Sequence, residues 1–253
     1  MSIDRSKPHY SISQVKLFSI CQYKYYLQYV EKLPYYPVYA MVSGKALHAG
    51  LEKNNLEIID GKKGLTKKQL IESAVADYED QTENIENFDV EVGDGKDKLV
   101  KEITPTTGVY LDDIQPQLIE DEIVSAEQAI SVDIHGIPFV GYVDITTKSM
   151  LFDYKTLGRR KSKDQINFDP QLVAYEKIIG KQGGFISFLR GKPITEINLP
   201  ERSQGVTDKL WTWVSEVIGS IECAKKSGDF TKCEPTNWMC NRCSFRFKCF
   251  NRK

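Results

Sequence analysis

Between Ile130 and Thr156 the chain carries three runs of β-forming residues, separated by turns too short for anything but hairpins. Ile130, Val132 and Ile134 alternate, His135-Gly136 turns the chain, and Ile137 to Ile145 follows as a second run. Thr147-Lys148-Ser149 turns it again into Met150 to Thr156. A period of two over three successive runs predicts an antiparallel meander, which buries its apolar side only if other elements cover it. Those elements are legible on both flanks. Ser11-Ile12-Ser13-Gln14 reads as a cap and first turn of a helix that ends before Pro34, and Val42 to Ile59 and Lys67 to Tyr78 read as further helices. The acidic stretch from Glu83 to Lys98 reads as a loop or a weak helix. Beyond the meander, Asp169-Pro170 opens a helix running through Leu172, Tyr175 and Ile179, Gly184 to Arg190 forms a further strand, and Thr207 to Lys226 a last long helix. The expected fold class is α/β, a mixed central sheet flanked by helices. The whole of residues 1–253 is expected to form one domain, with N-terminal helices in 10–60, a core in 123–190 and a cysteine-rich tail in 233–253.

Hydrophobic residues at 41% and charged residues at 27% fit a folded globular chain, and no apolar run reaches the ~18 residues that cross a bilayer. MSIDRSKPHY has no apolar stretch suited to a signal peptide, so the expected compartment is the reducing cytoplasm. The net charge of -1 conceals a segregation: residues 71–127 hold 17 acidic and 3 basic side chains, leaving 31 basic against 18 acidic elsewhere. A basic surface of that kind suits a polyanion.

Strand alternation puts Asp153 and Lys155 on one face and Phe152 on the other. Asp144 lies nine residues before Asp153 across a short hairpin, so the two carboxylates are close enough to share a hard cation such as Mg²⁺ or Mn²⁺. An isolated Asp-x-Lys is more often a surface ion pair, and it is the company of Asp144 that gives this one chemical meaning.

Gly141-Tyr142-Val143-Asp144 followed by Asp153-Tyr154-Lys155 resembles the signature of the PD-(D/E)XK nuclease superfamily, with Asp where many relatives carry Glu. Gly44-Lys45-Ala46-Leu47-His48 resembles the Gly-x-x-x-His element of its RecB-like branch, and Gln171-Leu172-Val173-Ala174-Tyr175 resembles its Gln-x-x-x-Tyr element. The resemblance implies a restriction-endonuclease-like core hydrolysing phosphodiester bonds. In it His48, Asp144, Asp153 and the carbonyl of Tyr154 would hold Mn²⁺ or Mg²⁺, Lys155 would orient water or stabilise the developing anion, and Gln171 and Tyr175 would position the strand or Lys155. A further acid often precedes the strand pair; Glu127 matches it, in competition with Glu120 and Glu122.

Six cysteines in a reducing compartment need a use other than disulfides. Cys240-Asn241-Arg242-Cys243 with Cys249 makes three thiolates within ten residues, which points to a metal cluster with a fourth ligand from elsewhere. Local spacing favours Cys233 and a compact zinc knuckle. The resemblance favours Cys21: in the iron–sulfur members of the RecB-like branch, AddB and the CRISPR-associated RecB-like exonucleases among them, one N-terminal cysteine joins three C-terminal ones around a 4Fe-4S cluster. Cys21-Gln22-Tyr23-Lys24-Tyr25-Tyr26-Leu27 resembles the N-terminal element and Cys240, Cys243 and Cys249 the C-terminal one, closing the tail onto the first helix and leaving Cys223 and Cys233 as packing thiols.

The resemblance thus implies a Mn/Mg-dependent deoxyribonuclease, an exonuclease acting on single-stranded DNA ends. Arg159, Arg160 and Lys161, just after the Asp153-Lys155 strand, are expected to contact DNA, while Trp238, Phe245 and Phe247 are read either as a stacking track or, for the two phenylalanines, as a cover over the cluster. The alternative is a nucleic-acid-binding scaffold of nuclease-like fold working through recombination or CRISPR-adaptation proteins. Homo-oligomerisation is compatible with either reading, and no membrane contact is expected.

Overall fold

The computed structural model of the chain describes residues 8–34, 37–83, 95–235, 237–241 and 243–250. Its centre is a five-stranded sheet in the order β1 (Ile123–Ile134), β2 (Ile137–Thr147), β3 (Met150–Leu157), β4 (Gln182–Leu189), β5 (Thr195–Asn198). β1, β2 and β3 form the expected antiparallel meander. His135 and Gly136 take φ of 56° and 79°, the left-handed pair that a two-residue hairpin turn needs, and Asp133 Oδ1 accepts the Gly136 N–H at 2.8 Å. β4 pairs parallel to β3, a connection that requires a crossover, and β5 returns antiparallel beside β4. The sheet is therefore mixed, as expected.

The crossover consists of α7 (Lys163–Asn167) and α8 (Pro170–Ile179). Asp169 caps α8 by accepting the Gln171 N–H at 2.9 Å, Pro170 supplies a fixed φ at the first position, and Gly180 ends the helix at φ 79°. α7 and β5 are too short to show a period and escape the sequence reading.

Two apolar layers sandwich the sheet. On the face carrying Phe152 and Tyr154 lie α3 (Tyr39–Ile59), α4 (Lys67–Glu83) and α5 (Gly95–Val109), through Leu47, Leu51, Leu70 and Leu99. α3 and α4 approach closely at Gly50, where a Cβ would fall 2.9 Å from the Leu70 carbonyl oxygen. On the face carrying Leu151 lie α1 (Ile12–Ile20), α8 and α9 (Gln204–Ser227), through Val15, Phe18, Ala174, Val214 and Ile218. Buried hydrogen bonds tie α3 to β3 and to the 110–115 segment inside the first layer. Asn55 Nδ2 donates to the Tyr154 hydroxyl at 2.8 Å, the Tyr110 hydroxyl donates to Asn55 Oδ1 at 3.2 Å, and Asn54 Nδ2 donates to Gln115 Oε1 at 2.8 Å.

The first helix departs from its expected course. α1 stops at Ile20, Cys21 is extended at φ -156°, and α2 (Gln22–Tyr25) restarts the helix before a π-helical turn over Tyr26–Val30. Cys21 Sγ caps the restart by accepting the Lys24 N–H at 3.4 Å. The acidic region departs as well. Residues 84–94 of the expected loop lie outside the described residues, but Gly95–Val109 is helical despite Pro105, and a π-helical turn (Tyr110–Ile114) leads into α6 (Gln115–Glu120). Pro105 lacks the N–H that would bond the Lys101 carbonyl, and buried Leu99, Ile103 and Thr106 supply the tertiary packing that outweighs this loss. The tail holds α10 (Trp238–Asn241) and α11 (Arg246–Phe250). Among the described residues no helix is long and apolar enough to cross a membrane.

Candidate active site and thiol pocket

Asp144 is the hub of the site. It is buried near the end of β2, its Oδ1 lies 3.3 Å from His48 Nδ1, and its Oδ2 accepts the backbone N–H of Tyr154. His48 comes from α3, a turn before the Leu51 that packs the first layer. The flanking pairs Ala126↔Ile145 and Gln128↔Val143 set Glu127 directly across from Asp144. One ligand atom from each of His48, Glu127 and Asp144 lies within 4.8 Å of the others. Glu120 and Glu122 are exposed, Glu122 paired with Lys148 at 2.7 Å, so the structure brings Glu127 to the site and leaves its two competitors outside. Glu127 holds φ at 47° in the middle of a strand, a left-handed conformation that costs on the order of 1–3 kcal/mol for a side chain of this kind. Its displacement from strand geometry was invisible in sequence.

Asp153 and Lys155 share the opposite face of β3 from Phe152 and Tyr154, as alternation predicts. Lys155 Nζ lies 2.5 Å from Asp153 Oδ2. Gln171 closes a ring: its amide nitrogen donates to Asp153 Oδ1 at 2.5 Å and to the Tyr175 hydroxyl at 3.1 Å, and its Oε1 accepts from Lys155 Nζ at 3.0 Å. One residue of α8 thereby fixes both the acid and the lysine. The Tyr154 ring points into the first layer, and only its backbone faces Asp144.

The electrostatics follow from crowding. Burial, the Asp144 charge and a hydrogen bond to it push the Glu127 carboxyl up to about 7. Burial would raise Asp144 too, but His48, Lys155 and the Tyr154 N–H together hold it below the usual carboxylate range. Burial and Asp144 raise Asp153 against the pull of Lys155, and Asp153 raises Lys155 against burial, so the lysine stays charged. Two carboxylates and an imidazole within reach of one another are donors a hard or borderline divalent cation takes, and the neighbouring buried Asp153 has an Oδ2 that, though in ionic contact with Lys155, accepts no well-directed hydrogen bond. The residues fit a divalent ion.

Beside Gln171 opens a cleft of about 830 Å³ lined by Lys16, Arg159, Arg160, Lys161, Gln165 and Phe168. Two of the three expected DNA contacts are ion-paired: Arg160 with Glu196 at 2.9 Å, Lys161 with Asp169 at 3.0 Å. Arg159 is exposed and has no ion pair among the described residues. Asp169 also takes Lys16 at 2.8 Å, and although burial opposes it, the two lysines hold its carboxyl down at about 2. A depressed carboxyl stabilises the fold at pH values above its unfolded pKa of about 4, and that contribution disappears as pH falls through about 2. Asp169→Asn, which keeps the cap, is expected to lower stability at pH 7 by about 2 kcal/mol, with the gap closing toward pH 2. Urea unfolding at stepped pH measures it; a gap that ignores pH would disprove the assignment.

At the other end of the chain, Cys21, Cys233, Cys240, Cys243 and Cys249 line one pocket with Leu27, Met239 and Phe245. Cys21 and Cys240 are buried. Cys223 is exposed on α9, which corrects its expected role as a packing thiol. Phe245 is buried as a cover, whereas Phe247 is 56% exposed. The side chain of Trp238 lies outside the described residues. Cys233, expected to stand apart, is 3.4 Å from Cys240, Sγ to Sγ.

A mixed sheet that brings a His, paired carboxylates and a strand-borne lysine together offers donors that fit a divalent ion. The chain belongs to the PD-(D/E)XK nuclease superfamily, whose family model matches residues 9–250. Its fold is similar to the crystal structure of a Eubacterium rectale protein provisionally named an exonuclease, with TM-score 0.60 and 10% identity over 96% of this chain and 93% of that one. A weaker likeness, TM-score 0.34 and 15% identity over 73% of this chain and 97% of that one, links it to LHK-Exo in complex with dAMP. None of the curated proteins matches the sequence.

Proposed function

We propose that this protein is a Mn²⁺- or Mg²⁺-dependent DNA nuclease that degrades single strands from an end. The observation that carries the reading is the closed ring of Asp153, Lys155 and Gln171 beside the His48–Glu127–Asp144 group. His48, Glu127, Asp144, Asp153 and the Tyr154 carbonyl would hold the ion. Bound there, a divalent cation lowers the pKa of its water and offsets charge building on the phosphate. Lys155 keeps its proton at Nζ, where the Asp153 and Asp144 carboxylates outweigh burial and leave a fixed positive charge for the attacking or leaving oxygen. Gln171 positions Lys155, and Tyr175 positions Gln171. Tyr154 N–H holds Asp144 in one rotamer. The cleft with Arg159 and Phe168 would receive the strand, phosphates on the basic groups and a base against the exposed ring.

We assign a 4Fe-4S cluster to the thiol pocket, with Cys240, Cys243 and Cys249 as three ligands and Cys21 as the fourth. Soft thiolates in a pocket walled by Leu27, Met239 and Phe245 suit it, and its service is structural, joining both ends of the nuclease.

End-labelled linear strands, circular strands and duplexes incubated with Mn²⁺ test the activity. Linear single strands are expected to be shortened and circles spared; cutting of circles would show an endonuclease. Affinity for single strands, measured in Ca²⁺, should fall with salt at a slope near -0.7 per phosphate neutralised, and the Arg159→Ala, Arg160→Ala, Lys161→Ala triple variant should flatten that slope by roughly one to three contacts. An unchanged slope would remove the cleft from the strand's path.

A further inference from the structure

The thiol pocket is lined by five cysteines where a tetrathiolate centre uses four, and the fifth is held there by its neighbours. Residues 230–233 are strapped across α2. Tyr23 N–H donates to the Thr231 carbonyl at 3.0 Å, Thr231 N–H donates to Gln22 Oε1 at 3.1 Å, and the Phe230 ring packs on Tyr26 at 4.9 Å between centroids. Lys232 lies 4.9 Å over the Tyr23 ring and donates to the Cys249 carbonyl at 3.0 Å. The strap ends in Cys233, whose Sγ lies 3.4 Å from Cys240 Sγ in the pocket that Cys21 also lines. Cys240, Cys243 and Cys249 come from one short stretch, so three positions of a centre are supplied together. The fourth has two claimants, Cys21 and Cys233, both of which line the pocket.

We infer that Cys233 is an alternate ligand of this centre, competent to take the fourth position when Cys21 is absent. A packing thiol would sit among carbons; this one sits among sulfurs and remains partly exposed. The two tetrads differ mechanically. Cys21 draws α2 into the metal's coordination and ties chain segments 219 positions apart, whereas Cys233 closes a loop within residues 233–249 and leaves α2 held by the strap alone. Metal retention and clipping of the N-terminal helix therefore separate in a Cys21 variant. The inference rests on the iron–sulfur reading only for the identity of the group, because the count of thiols is the same for zinc.

Iron, zinc and acid-labile sulfide are measured in anaerobically purified parent, Cys21→Ser, Cys233→Ser and the double variant, with thermal unfolding alongside. Serine keeps an acceptor at the α2 cap, and Cys21→Ala serves as a second variant should the first fold poorly. Each single variant is expected to retain metal within about twofold of the parent, and the double variant to lose at least about tenfold. Cys21→Ser should also shift the visible spectrum and lower the unfolding temperature, while Cys233→Ser leaves both near the parent. Loss of metal from Cys21→Ser alone, or from Cys233→Ser alone, would overturn the inference, since one cysteine would then be indispensable. So would a double variant that keeps its metal, or a parent with none. A parent with one zinc and no iron would instead sink the iron–sulfur assignment while the same comparison of variants still decides on Cys233.

Discussion

Asp153→Asn is expected to abolish Mn²⁺-dependent DNA cleavage, by roughly 10³-fold, and to weaken Mn²⁺ binding by at least about tenfold. Asp153 is buried, and its Oδ2 accepts no well-directed hydrogen bond, so its charge is the part the amide lacks. The amide oxygen retains the Gln171 contact, which separates lost chemistry from lost structure. Lys155→Met should cost roughly 10²–10³-fold in rate without weakening Mn²⁺ binding, because its ammonium is no ligand, repels the ion and serves the reacting phosphate. The two phenotypes divide the ring into an ion-holding and a charge-stabilising half. Isothermal titration with Mn²⁺ beside single-turnover digestion measures both; wild-type cleavage by either variant would refute the site.

The second large effect is expected of Cys240→Ser. On the proposed assignment Cys240 belongs to both tetrads that the thiol pocket could supply, so its loss would not be covered by Cys21 or Cys233. Metal content should collapse and the chain should lose the link between residues 21 and 240, which on loop-closure grounds limits the unfolded state by up to about 5 kcal/mol. α1 and α2 would then depend on the Tyr23–Thr231 strap and on Phe18 and Tyr25 in the second apolar layer. Hydrogen exchange should localise the loosening to residues 12–30 and the tail. Equal iron in variant and parent would exclude Cys240 as a ligand.

The parts of the fold that sequence revealed are those whose pattern repeats. The meander was legible because Ile130, Val132 and Ile134 alternate and two turns carry the right residues, and α8 because Asp169, Pro170 and Gly180 each act through a local conformational preference. α5 was hidden by Pro105 and by an acidic composition, since only its packing against the sheet makes it a helix. In the site, Asp144, Asp153 and Lys155 could be brought together from strand alternation and a short hairpin, whereas Gln171 and Tyr175 were named by family likeness, their shared helix face adding only that they point the same way. Glu127 could not be chosen from three acids, because its selection depends on a left-handed residue inside β1. The Asn55–Tyr154–Tyr110 network left no signal, as its members are distant in sequence and have ordinary spacing. Cys233 is the instructive case. Spacing put it with Cys240, family likeness put Cys21 there, and the pocket holds both.

That pocket also fixes a schedule for how the protein is made. Cys21 is synthesised before the core, and Cys240, Cys243 and Cys249, the other ligands of the proposed centre, follow it by 219 or more residues. At about 5–20 residues per second, the N-terminal thiol waits roughly 10–45 s before a complete set of ligands exists. The nuclease core between them, including Asp144, Asp153 and Lys155, is synthesised and free to fold within that interval. On the proposed assignment, metal delivery to a full set of thiols would follow synthesis of Cys249 and would act on a chain whose residues 123–190 have already been made.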